Sequence, residues 1–115
     1  MISQQFETDL FKQICELREM QRKYFKTRSL EVLKKCKELE KNFDKIINID
    51  TVDFYKDSNI YTVINLTCKM RELQKKYFSS FLDADKKKAV DFEKRVDVAI
   101  KSIKEINEPK QLKLF

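Results

Sequence analysis

An all-α fold follows from three features of the 115-residue sequence: it has almost no chain breakers, it repeats itself at an offset of 53 residues, and each copy spaces its apolar residues three and four apart. There is no glycine, and the one proline is Pro109. Sheets of this size need tight turns, and tight turns draw on Gly, Pro and Asn. Lys, Glu, Leu and Ile dominate instead, and most of these favour helix. Charged residues make up 38% of the chain and hydrophobic residues 42%, a mixture that suits amphipathic helices with solvated outer faces.

The repeat organises the chain. Residues 15–25 read C-E-L-R-E-M-Q-R-K-Y-F and residues 68–78 read C-K-M-R-E-L-Q-K-K-Y-F, with seven of eleven positions identical. The offset continues without a gap to Ile47 and Ile100, and 13 of the 33 pairs are identical. This is the mark of a duplicated unit, and the two halves are expected to share one local fold.

Each half carries two helical seams. Leu10, Ile14, Leu17, Gln21 and Tyr24 form the first, and Val32, Cys36, Leu39, Phe43 and Ile46 the second. Val63, Thr67, Met70, Gln74 and Tyr77 form the third, and Ala89, Phe92, Val96, Ala99 and Ile103 the fourth. The spacing predicts helices over about 4–25, 29–48, 59–79 and 83–106. Ser29 is the expected N-cap of the second helix, and Ser80 with Asp83 forms a capping-box pattern before the fourth. The short breaks at 26–29 and 79–80 imply antiparallel neighbours. The expected architecture is two tandem antiparallel hairpins, 1–48 and 59–106, in a four-helix bundle, with a linker at 49–58 and an extended tail at 107–115. Hairpins that pair between chains, in a homo-oligomer, are the alternative.

The duplicated Arg-Glu-x-Gln-x-x-Tyr-Phe block has structural readings. Tyr24, Phe25, Tyr77 and Phe78 are expected to plug the turn ends of the core, with an exposed aromatic contact surface as the alternative. Gln21 and Gln74 are seam residues that either set register or sit solvated at the rim. Arg18 with Glu19, and Arg71 with Glu72, read as surface charges or weak interhelical pairs.

No catalytic constellation is visible, and no enzymatic activity is expected. The chain lacks histidine, and without glycine it cannot build a Walker or dinucleotide phosphate loop. Glu40, Asp44, Glu93 and Asp97 alternate with Lys41 and Lys94 and read as solvated faces, not a cation site. Cys15, Cys36 and Cys68 fit neither a disulfide framework nor a zinc pattern. No metal and no cofactor is expected. Residues Met1 to Glu7 are polar, and no apolar run approaches a membrane span, so a cytoplasmic protein without a membrane partner is expected.

The net charge of +6 is unevenly placed. Arg22, Lys23, Lys26, Arg28, Lys34 and Lys35 flank the first hairpin break. Lys75, Lys76, Lys86, Lys87 and Lys88 flank the second. These are the candidate contacts to nucleic acid, which they would make through a salt-sensitive and sequence-independent attraction to phosphate. Solvated lysine faces are the plain alternative.

The chain ends in Gln111-Leu112-Lys113-Leu114-Phe115, beyond the helix-stop residues Asn107 and Pro109. Gln-Leu-x-Leu-Phe resembles the bacterial sliding-clamp-binding motif, which occurs in polymerase subunits, mismatch-repair proteins and other clamp clients. The resemblance covers these five residues and implies a partner, the clamp. It implies that Gln111 hydrogen-bonds through its amide, that Leu112 packs in the groove, and that Leu114 and Phe115 are the anchors. The third position, usually Ser or Asp, is Lys113 here. A clamp-binding adaptor or modulator of replication or repair, in a bacterium, a phage or another mobile element, is the expected function. A protein- or nucleic-acid-binding module that uses the hairpin surface, with a structural tail, is the alternative.

Overall fold

The computed structural model describes residues 4–47 and 49–107. Five helices follow one another: α1 (Gln4–Thr27), α2 (Leu30–Ile46), α3 (Ile49–Phe54), α4 (Tyr61–Ser80) and α5 (Asp83–Asn107). No strand occurs among the described residues. The fold is all-α, and the four long helices begin and end within two residues of the positions that the seams predict.

The seams are buried largely as the spacing requires. Ile14, Leu17, Val63, Ile64, Met70 and Val96 are fully enclosed, and Phe43 fills the largest volume among the enclosed side chains. Burying side chains of this size contributes about 1.5–3 kcal/mol each before the entropy of ordering them is counted. Ile46 departs from the pattern. It is exposed, and its neighbour Ile47 packs against the core instead. α2 ends at Ile46, and the extended Ile47 turns its side chain inward. The stretch between the hairpins is also more than a spacer. It forms the short helix α3, and Tyr55 and Ile60 enter the core.

The duplication is visible in the turns. α1 ends at Thr27 and α4 at Ser80, and the next residues, Arg28 and Phe81, both take the left-handed conformation (φ 54° and 57°). Their backbone N–H groups donate to Tyr24 and Tyr77 carbonyls, at 2.7 Å in each case. The next N–H groups, of Ser29 and Leu82, donate to the hydroxyls of Thr27 and Ser80, at 3.2 Å in each case. All of these positions are 53 apart. Ser29 then caps α2 by accepting from the Val32 N–H at 3.4 Å. Ser80 bonds the carboxylate of Asp85, not that of Asp83, because Asp83 is itself the first residue of α5.

The contacts also orient the hairpins. Lys37 meets Phe78 while Asp44 meets Arg71, so α2 and α4 run in opposite directions. Each hairpin reverses direction at its own turn. Both turns therefore lie at the same end of the molecule, and α5 carries the chain away from that end to Asn107.

A left-handed residue with a side chain costs about 1–2 kcal/mol, and glycine relieves that strain at some cost in unfolded-state entropy. Phe81 is 70% exposed, so little packing is lost with its ring. Phe81→Gly is expected to raise stability by about 0.5–1 kcal/mol and the melting temperature by about 3–5 °C. Thermal unfolding followed by circular dichroism checks this; a fall would mean that the Phe81–Tyr77 ring contact outweighs the strain.

Candidate functional site: a two-fold polar network and a basic turn end

Four residues of each repeat build one polar network in the middle of the molecule. Arg18 of α1 reaches Asp97 of α5 in a two-pronged pair, with Nε to Oδ1 at 2.7 Å and Nη2 to Oδ2 at 3.0 Å. Arg71 of α4 reaches Asp44 of α2 in the same way, at 3.2 and 3.0 Å. Each arginine thus binds a carboxylate of the other repeat. Each also donates through Nη1 to the glutamine one turn further along its own helix: Arg18 to Gln21 at 2.7 Å and Arg71 to Gln74 at 2.8 Å.

The glutamines close the circuit. Gln21 Nε2 donates to Glu40 and Gln74 Nε2 donates to Glu93, at 2.8 Å in each case. The two amides also donate to each other, at 3.2 and 3.4 Å. An arginine offers only donors and a carboxylate only acceptors, so each amide has one possible orientation: oxygen toward arginine, nitrogen toward glutamate. Among the described residues no buried side-chain nitrogen or oxygen lacks a partner.

Every member has its equivalent 53 residues away, so a local two-fold axis passes between Gln21 and Gln74. The network corrects two expectations. Arg18 and Arg71, at 4% and 8% exposure, are core residues and not surface charges, and of the two readings the interhelical pair holds, with Asp97 and Asp44 as partners. Glu40 is buried, and the four carboxylates point into the network instead of lying on solvated faces. The glutamines take the register-setting role, since both are buried. The pairing had a sequence signal: the identities Glu40/Glu93 and Asp44/Asp97 at the repeat offset. The α1–α5 and α2–α4 juxtapositions that join them to the arginines had none.

Burial disfavours the ionised form of Asp44, but hydrogen bonds from Arg71 and Lys75 outweigh it and hold the carboxyl below its ordinary value of 3.8. Burial pushes all three cysteine thiols up, Cys68 to about 11, so none is an activated thiolate near neutral pH. The three are free thiols, and no three His, Cys, Asp or Glu side chains converge as metal ligands among the described residues.

Above the network lies the turn end. Lys23, Lys26, Arg28, Lys34 and Lys35 of the first hairpin are exposed there, as are Lys86, Lys87 and Lys88 of the second. Arg22 and Lys75 are half-exposed and pair with Asp97 and Asp44 at 3.0 Å, so the network extends to the surface through equivalent residues. Lys76 lies 3.9 Å from Asp85. The aromatics at this end correct a third expectation. Tyr24 and Tyr77 are partly buried, but Phe25 and Phe78 are 57% and 55% exposed and do not plug the core. Arg28 lies 5.4 Å from the centroids of both Tyr24 and Phe25, and Lys37 4.9 Å from that of Phe78. Leu30, Phe81 and Leu82 are exposed beside them. Gln111, Leu112, Leu114 and Phe115 lie outside the described residues.

The fold and the network define an all-α protein of two duplicated helical hairpins joined through a two-fold polar core. Comparison of the chain with protein-family models, with curated proteins and with solved structures gave no match. No helix among the described residues is long and apolar enough to cross a membrane.

Removing one partner of a buried charge pair leaves the other uncompensated. Arg18→Met is therefore expected to cost about 3 kcal/mol in denaturant unfolding. The depressed Asp44 makes stability depend on pH. Its pairing stabilises the fold above about pH 4, where the unfolded carboxyl is already ionised, and this contribution disappears as pH falls through the lower native value. Melting curves between pH 7 and pH 2.5 are expected to show a shallower acid loss in Asp44→Asn than in the parent protein.

Proposed function

We propose that this chain is a non-enzymatic interaction protein that binds the bacterial DNA sliding clamp through its C-terminal peptide and acts as an adaptor or modulator of replication or repair, in a bacterium, a phage or another mobile element. One observation carries the reading: the sequence Gln111-Leu112-Lys113-Leu114-Phe115. A short extended peptide gains affinity by seating a few apolar anchors in preformed pockets while its backbone bonds the groove. Leu114 and Phe115 supply two such anchors, Leu112 packs in the groove, and Gln111 supplies an amide for a polar subsite.

Ordering a short peptide costs entropy, so a single contact of this kind binds weakly or moderately. A second contact multiplies the effect when both are engaged at once. The basic turn end suits that role. Its lysines would touch phosphates of DNA held near the clamp, with an affinity that falls as salt rises.

Binding of the full chain to a bacterial sliding clamp, measured by calorimetry, tests the proposal. Leu114→Ala with Phe115→Ala is expected to weaken binding at least ~30-fold, the effect of losing about 2 kcal/mol or more of anchor contact. The same variant is expected to keep the parent's melting temperature. If the variant binds as the parent does, or if the parent does not bind, the clamp reading falls. A large drop in melting temperature would instead assign Leu114 and Phe115 to the core.

A further inference from the structure

The two repeats diverged unevenly, and the unevenness marks a surface. Buried apolar positions drifted: Leu17 stands opposite Met70, Cys36 opposite Ala89 and Phe43 opposite Val96. The network stayed the same because its hydrogen bonds demand it. At the turn end, some exposed positions also stayed the same while others, such as Lys26 and Arg28 against Ser79 and Phe81, did not. Lys23, Phe25, Lys34 and Lys35 recur unchanged as Lys76, Phe78, Lys87 and Lys88, and all eight are exposed. Packing explains none of them, and an exposed phenylalanine is a poor residue to keep twice for solubility's sake.

We infer that the turn end is a binding surface for single-stranded nucleic acid, with Phe25 and Phe78 as two equivalent base-stacking stations and the flanking lysines as their phosphate contacts. The inference deepens the nucleic-acid role given above to the basic end, and it is independent of the clamp peptide. A base offers a flat π-face and its backbone a negative charge, and a strand repeats the two. Strand-binding surfaces combine aromatic rings with cationic tracks for that reason. Each station here presents that pair of chemistries. Each ring already carries a cation, Arg28 against Phe25 and Lys37 against Phe78, from positions that are not repeat equivalents, and more than half of each residue faces solvent. The two-fold axis sets the stations at the same end of the molecule.

An anionic membrane would also attract lysines and apolar side chains. The pattern of retention disfavours it. The exposed aliphatic residues Leu30 and Leu82 are not retained, for their equivalents are Asp83 and Ser29. The exposed residues that both copies kept beside the turns, Lys23, Phe25, Lys34 and Lys35 with their equivalents, are aromatic and cationic, although Glu19 and Glu72 are also kept further down the helices.

The test uses the full chain and fluorescently labelled strands of thymidine and of uridine, twenty nucleotides each. A duplex of the same length and vesicles of phosphatidylcholine with phosphatidylserine serve as alternatives. The double variant Phe25→Ala, Phe78→Ala is expected to fold with the parent's helicity, because neither ring is buried. It is expected to bind the single strands at least tenfold more weakly, while Leu114→Ala with Phe115→Ala leaves strand binding unchanged. Parental strand binding by the phenylalanine variant, with duplex bound equally well, overturns the stacking inference and leaves only a phosphate attraction. Binding to vesicles but not to strands, or to neither, overturns the inference together with the nucleic-acid role of the basic end.

Discussion

Gln21 and Gln74 face each other across the local two-fold axis, and the relation of one hairpin to the other depends on that meeting. Each amide is held between an arginine and a glutamate, and each arginine is committed to an aspartate of the opposite repeat. Ten hydrogen bonds among eight side chains leave no donor or acceptor position to exchange without stranding a charge. An apolar seam tolerates sliding by a turn, because one leucine is much like another. This network does not. A slip of α1 along α5 would leave Arg18 buried without Asp97, at a cost of several kcal/mol.

The same constraint explains how the repeats diverged. Methionine replaces leucine and alanine replaces cysteine without loss of the fold, since neighbouring side chains adjust and volume is shared across a seam. Arg18, Gln21, Glu40 and Asp44 have no such latitude. Their equivalents are identical because a carboxylate, an amide and a guanidinium each present a different set of donors and acceptors. The turns behave alike for a backbone reason. Arg28 and Phe81 share nothing chemically, yet both are left-handed, because the backbone bonds that end α1 and α4 require that conformation whatever side chain it carries.

The fold positions chemistry at one end. Hairpins that reverse over two residues bring the last turn of α1 and the first turn of α2 together, and α4 and α5 do the same beside them. Cations and phenylalanines that lie far apart in the chain, in the twenties, the thirties, the seventies and the eighties, are thereby gathered at one end. The two arginines of the network leave two of its four carboxylate charges unbalanced, and Arg22 and Lys75 offset these at its edge, so the remaining exposed lysines carry the positive charge of that end.

By itself the sequence determined the helical class, the ends of the long helices, the duplication and most of the core. These are local properties: periodicity at three and four, capping residues and the absence of breakers act within a few residues of where they are read. Sequence alone also singled out Gln21 and Gln74 as unusual seam residues. It could not say that Arg18 and Arg71 are buried, since arginine on a helix reads as surface until a carboxylate from another helix covers it. Nor could it say that Phe25 and Phe78 face solvent. Their position on the helix is compatible with the core, and only the path of the turns and the packing of Tyr24 and Tyr77 beside them exclude it. Tertiary structure decided both, because burial is a property of what the opposing helix brings, and here the opposing helix comes from the other repeat.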